Sequence, residues 1–364
     1  MLIKDVIRII EDAAPLQYQE SYDNSGLLVG SASEAVSGVL VSLDITEDVL
    51  QEAIQTGCNL IVAHHPLIFK TLKKITGSNA IERCVATAIK NDIAIYASHT
   101  SMDAAPGGVN HKIAEKLGLK NISVLSEPNT GLSKLVCYVP VDYAAKVRDA
   151  MFESGAGFIG NYDCCSFNTQ GTGTYRAGQG SHPFIGQLGE LHCESEVKVE
   201  TIVPEHLLNN TIAAMIAAHP YEEVAYDVYQ LKNRNIAFGI GVVGDLPKKT
   251  DFMEFILMLR EIFDSKCIRS SKSIGSVVNR IALCGGSGAG LIPLAIAGGA
   301  DVFITGEIGY HQFFTAENKI VLIELGHYET EQFVKEIFYD LISKNNPKFA
   351  VRISKINTNP IITY

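Results

Sequence analysis

Ile61-Val62-Ala63-His64-His65-Pro66-Leu67-Ile68-Phe69 is the stretch on which the rest of the chain is organised. Its apolar start reads as a buried strand, and two adjacent histidines stand at the end of it. Side chains on an extended chain alternate between faces. Two neighbouring imidazoles therefore serve one centre only where the strand has ended and the chain turns. Pro66 supports a turn, because proline disfavours helix at the residue before it and cannot continue a ladder. Such a pair at a strand's carboxyl end suits two adjacent metal ions better than one, although these nine residues fit a pair of loop histidines equally well.

Outward from that strand, the pattern is strand alternating with helix. Val39 to Asp44 reads as a buried strand, residues 47–56 as a helix, residues 79–91 as a helix and Ile93 to Ser98 as the next strand. Residues 3–13 and 108–117 carry apolar positions at helical spacing, and Gly118 is a stop. This alternation predicts a largely parallel α/β layer. Tyr22-Asp23-Asn24-Ser25-Gly26 is a polar turn into a short strand, to be read either as turn chemistry or as the edge of a site.

Pro128, Asn129 and Gly131 give residues 119–130 a linker-like composition, after which the texture changes. Strand, helix, strands, helix and strand follow, with a glycine-rich stretch from Gly155 to Gly189, and this order predicts a ferredoxin-like α+β module. The expected division is a discontinuous α/β domain, residues 1–125 and 234–364, interrupted by an inserted domain, residues 126–233. Its His219-Pro220-Tyr221-Glu222-Glu223 reads as a closing turn in preference to a small-molecule or interface patch. The α/β texture resumes near residue 279. Gly285 to Gly290 after a strand reads as a tight strand-to-helix turn, with an anion cradle as the weaker alternative.

The 364 residues are 47% hydrophobic and 19% charged, enough for a sizeable core. A net charge of −10 argues against a nucleic-acid footprint. No apolar run is long enough to span a membrane, and the amino terminus reads as an amphipathic helix instead of a secretory signal. The eight cysteines form no CxxC pair and sit largely in apolar runs, which points to reduced thiols and a cytoplasmic location.

Chemistry gathers where strands end. Besides His64 and His65, Asp103 follows the strand ending at Ser98, and His327 and Glu331 follow the strand ending at Leu325. His327 and Glu331 are four apart at a helix start and so share a face. Three imidazoles and two carboxylates make a donor set for zinc, iron or manganese. Five ligands exceed the needs of one open catalytic ion, and two divalent ions per chain use them better. His99 and Glu307, and after them His311, are candidates for proton transfer or support, with a structural role open for each.

Asp23-Asn24-Ser25-Gly26-Leu27-Leu28-Val29-Gly30, Leu43-Asp44-Ile45-Thr46, His64-His65-Pro66, His99-Thr100-Ser101-Met102-Asp103, Thr305-Gly306-Glu307 with Tyr310-His311, and Gly326-His327-Tyr328-Glu329-Thr330-Glu331 cover both ends of the chain. With them the chain resembles the GTP cyclohydrolase 1 type 2 homolog family, also called Nif-three-like. The resemblance implies a dinuclear metal site at His64, His65, Asp103, His327 and Glu331, two similar α/β lobes, and a homohexameric ring with its metals facing an inner cavity. The middle segment resembles the PII- or CutA-like insert of the longer members. Tyr22 departs from the tryptophan of many relatives and leaves the ligand set untouched. Two functions follow as expectations: a metal-dependent hydrolase of GTP or another nucleotide-like molecule, with His99 and Glu307 catalytic, or a non-catalytic regulatory or metal-carrier ring acting through its insert.

Overall fold

A computed structural model describes residues 1–127, 131–233, 237–272, 275–345 and 349–363. The chain divides into two compact units, Met1–Pro128 with Ile236–Tyr364, and Asn129–Asn235. Pro128 and Asn129, read above as part of a linker, lie outside the described residues.

The first unit is mixed α/β and contains two sheets. The five-stranded sheet runs in the order Gly26–Val29, Ala94–Ala97, Leu60–Ala63, Val39–Ser42, Val351–Ile353. Its last four strands are parallel, and Gly26–Val29 pairs antiparallel at the edge. The register sets Ser42 beside Ala63 and Ala63 beside Ala97, so three carboxyl ends are level. The six-stranded sheet runs Arg269–Ser270, Val321–Glu324, Val302–Thr305, Val277–Cys284, Ile240–Asp251, Lys120–Ser126. Cys284, Thr305 and Glu324 are again level across three parallel strands.

Alternation along these strands decides which core each residue enters. Val39, Val41, Leu60, Val62, Ala94 and Tyr96 face one apolar cluster, whereas Leu40, Ile61 and Ile95 face another. In the second sheet Ile281, Leu283, Val302, Ile304, Val321 and Ile323 enter that same first cluster, and Ala282, Phe303 and Leu322 face a third. The inner faces of both sheets thus share one core, filled by the helices Ile3–Ala13, Val109–Lys116, Phe252–Phe263 and Val334–Asn345. A strand buried on both faces has no polar face to show, which explains the unbroken apolar runs in the sequence. Glu47–Thr56 and Ala80–Lys90 cover the outer face of the first sheet. Each begins at a side-chain cap, Thr46 on the Val49 amide and Asn79 on the Glu82 amide.

Two expectations need amending. Residues 120–126 are a strand paired antiparallel with Ile240–Asp251, where a linker was read. The strands that lead to the candidate ligands belong to two sheets instead of one layer.

The second unit has four antiparallel strands in the order Ser166–Arg176, Leu191–Pro204, Leu132–Pro140, Tyr226–Gln230. Two helices, Ala144–Glu153 and Leu208–Ala218, contribute Val147, Met151, Leu208 and Met215 to its separate core.

Candidate metal centre

The strand Leu60–Ala63 ends where the amides of His64 and His65 both turn onto the Leu43 carbonyl, at 3.1 and 3.0 Å. That turn places the two imidazoles side by side, 5.0 Å between ring centres. Asp103 projects from the short helix Thr100–Ala104, after the neighbouring strand. His327 and Glu331 open and close the one-turn helix His327–Glu331, after the strand Val321–Glu324 of the other sheet.

Each of the three imidazoles spends Nδ1 on an oxygen. His64 Nδ1 lies 2.9 Å from the Ser98 carbonyl, His65 Nδ1 2.7 Å from Asp44 Oδ1, and His327 Nδ1 2.9 Å from Glu307 Oε1. With Nδ1–H donating, each Nε2 is left with its lone pair, the form that ligates a metal. All three Nε2 atoms converge on Glu331. Its Oε2 is 2.9 Å from His65 and 3.0 Å from His327, and its Oε1 is 3.8 Å from His64, which is 3.6 Å from Asp103 Oδ1.

Two donor groups result, His64 with Asp103 and Glu331, and His65 with His327 and Glu331, each with ligand atoms within 4.8 Å of one another. Glu331 is common to both. His64 Nε2 and Asp103 Oδ1 are buried and have no hydrogen-bond partner, and Glu331 Oε2 has none while the facing imidazoles keep their protons on Nδ1. Each such atom costs about 1–3 kcal/mol when left unpaired. Nε2 of His65 and His327 stand 3.3 Å apart, lone pair toward lone pair. These contacts are unfavourable among the side chains alone and favourable around a cation, so the residues fit a metal.

Without an ion, the imidazoles relieve these contacts by taking up protons. Burial disfavours charge on His65 and His327, yet Asp44 and Glu331 hold the first up at about 10, and Glu331 with Glu307 holds the second at about 9. Desolvation, reinforced by the Glu331 charge, pushes Asp103 up to about 6. Burial also opposes charge on Glu331, but the three imidazoles keep its carboxyl well below the usual range. The carboxylates call for positive charge, and the ion pairs that supply it come from imidazoles alone among the described residues. Divalent cations would displace those protons.

His99 stands beside this cluster, its ring centre 5.2 Å from that of His64 and 5.4 Å from that of His65, and it forms a third metal-capable group with them. Its Nδ1 bonds Asp23 Oδ1 at 2.9 Å, and the Thr100 amide donates to the other Asp23 oxygen at 3.0 Å. Asp23-Asn24-Ser25 therefore docks on the site's edge. Glu307 reaches His327, while His311 stays exposed against Tyr310 and Phe314, outside every metal-capable group among the described residues.

The sequence reading passed over Asp44 as a site residue and gave Asp23 only as part of a turn that could edge a site. Asp44, His65 and His99 each lie two positions past level strand ends, and that shared offset is the signal for Asp44. The Gly285–Gly290 turn holds no open amide cradle at its first glycines. The amides of Gly285, Gly286 and Gly288 donate to Asn110, Thr330 and Thr305. Its use is space, since a Cβ at position 286 would collide with the Glu331 carboxylate.

A family model described as Duf34/NIF3 (NGG1p interacting factor 3) matches residues 1–360. The chain belongs to the Duf34/NIF3 family. It is 39% identical over 360 residues to a GTP cyclohydrolase 1 type 2 homolog of Halalkalibacterium halodurans, covering 98% of this chain and 97% of that relative. It is 38% identical over 366 residues to the Bacillus subtilis protein of the same name, covering 98% of this chain and 97% of that one. Among solved structures, a Bacillus cereus protein related to NIF3 superposes with a TM-score of 0.89 at 38% identity, covering 100% of this chain and 99% of the other. Among the described residues of this family member, no helix is long and apolar enough to cross a membrane.

Proposed function

We propose that this Duf34/NIF3 chain is a metal-dependent hydrolase with a dinuclear centre. One observation carries the reading: a single buried carboxylate, Glu331, is shared by two complete donor groups. His64 and Asp103 would complete one ion's ligands, His65 and His327 the other's. Two ions so held supply an activated water and polarise the bond under attack. Zinc, iron and manganese all suit imidazole and carboxylate donors. Asp44 and Glu307 fix the ring orientation of His65 and His327. His99, with Nδ1 tied to Asp23, keeps Nε2 to take a proton from the attacking water or return one to the leaving group. The substrate class is a small hydrolysable molecule, and GTP or another nucleotide-like compound leads because relatives carry the cyclohydrolase name.

The test is a screen of the protein, loaded in turn with zinc, manganese and iron, against nucleotides, phosphoesters and amides. On the substrate it returns, His99→Ala should keep the metal content and lower turnover roughly 10²–10⁴-fold. Full turnover at full metal content removes His99 from the mechanism. No turnover with any metal removes the hydrolase.

We further propose that Asn129–Asn235 is a PII- or CutA-like inserted domain, that the two sheets of the first unit mark two similar lobes, and that six chains form a ring. The strand–helix–strand–strand–helix–strand order and separate core of the second unit support the first point. They also favour the alternative in which the chain regulates through that unit. A chain with residue 125 joined to residue 234 by a Gly/Ser linker should stay soluble and bind metal. Sedimentation of the intact chain should give six times 39.5 kDa, and a monomer would discard the ring.

A further inference from the structure

The second unit carries an open-mouthed cavity of about 510 Å³, lined entirely by residues between Tyr138 and Ala225. That volume lies within the roughly 300–1,000 Å³ of small-molecule sites. The rings of Tyr175, Phe184 and Tyr221 line it, with centres 6.0 Å apart for Tyr175 and Tyr221 and 6.3 Å for Phe184 and Tyr221. The two tyrosines are fixed in place. Tyr175 donates its hydroxyl to the Ile185 carbonyl at 2.6 Å, and Tyr221 donates to Glu196 Oε1 at 3.1 Å. The buried His219 spans the Tyr138 carbonyl at 3.0 Å and the Tyr221 amide at 3.1 Å, with its ring 5.0 Å from that of Tyr221. His219 to Glu223 is thus more than a closing turn, since it carries a ring and two carboxylates to the cavity.

Charge narrows the ligand. Glu196, Glu222 and Glu223 line the cavity against one guanidinium, Arg176. Glu196 has no ion pair among the described residues, and a Cβ at Gly173 would collide with its carboxylate, so glycine keeps room for it there. Burial, reinforced by Glu196, pushes the Tyr221 hydroxyl well above its usual range, so it remains a donor. An anion would meet net repulsion, and a neutral molecule would bury the Glu196 charge with only the Tyr221 hydroxyl against it. A cation with an apolar body satisfies the carboxylate and lies against aromatic faces.

We propose that this cavity binds a small organic ammonium ion, its charge at Glu196 and its apolar body against Tyr175, Phe184 and Tyr221. This goes beyond the hydrolase reading and stands without it. Calorimetric titration of the full chain with benzyltrimethylammonium chloride, and with sodium benzoate at equal ionic strength, is the test. The cation should bind saturably and at least about tenfold more tightly than benzoate. Glu196→Gln, which keeps an acceptor for Tyr221, should weaken the cation about fivefold or more, and so should Tyr221→Leu in a variant whose melting curve stays cooperative. Equal affinity for benzoate, no saturable binding of the cation, or an unchanged affinity in Glu196→Gln each overturns the proposal. The cation–anion contrast is read on the unaltered chain, so it decides the matter even if a variant fails to fold.

Discussion

The two strand edges that meet at the candidate metal centre are built on opposite plans. At the edge of the five-stranded sheet, the first two positions past the level strand ends include the donors Asp44, His64, His65 and His99. At the matching edge of the six-stranded sheet they include Gly285, Gly286, Gly306 and Gly326. A Cβ at 306 would come within 2.9 Å of the His327 Cα, and one at 286 would strike Glu331. One edge therefore supplies ligands directly. The other supplies room, and its ligands come from the one-turn helix that uses the room. A carboxylate shared between two donor groups needs both edges, because neither sheet alone brings five donors together.

The comparison breaks most completely at Glu331. Glu331→Ala removes the one donor common to both groups, so elemental analysis should find nearly all metal lost, whereas His65→Ala should spare the His64 group. Retention of one tightly held ion in Glu331→Ala would mean that the groups are independent. Next comes the glycine edge. Gly286→Ala removes no ligand, yet it should lower metal content severalfold through its clash with Glu331 and its φ of +60°. Gly57→Ala is the control, with φ +70° and nothing within 4 Å of the new Cβ. It should cost about 1 kcal/mol of stability and leave the metal in place. Equal metal loss in both variants would show that backbone strain, not room for Glu331, sets the glycine requirement. The smallest effect belongs to the oxygens behind the imidazoles. Asp44→Asn should weaken metal affinity about 10–100-fold, and Glu307→Gln less, because Glu307 is exposed to water that can replace it. Competition with a chelator of known affinity measures both.

Much of this was legible in the sequence for a physical reason. Parallel strands buried on both faces read as apolar runs, and the first polar residues after them lie at one edge, so His64, His65, Asp103, His327 and Glu331 could be gathered without coordinates. Pairing was not legible. That Asp44 stands level with His65, or that two sheets face one core, depends on hydrogen bonds between segments far apart in sequence. Lys120–Ser126 escaped because several of its side chains are exposed and its flank is rich in turn formers. Phe252–Phe263 went unremarked because apolar residues such as Met253 and Leu257 also occupy its exposed face, which blurs the helical stripe. The glycines at 285–290 read as a tight turn, with an anion cradle as the weaker alternative, because sequence shows the missing side chains and not the carboxylate that occupies the space at Gly286.

The most direct test of the shared-carboxylate centre is metal stoichiometry on chelator-free protein, measured by elemental analysis before and after reconstitution with zinc, manganese or iron. Close to two ions per chain is the expected result, since Glu331 completes two donor groups. A value at or below one, unchanged by reconstitution with any of the three, would contradict it.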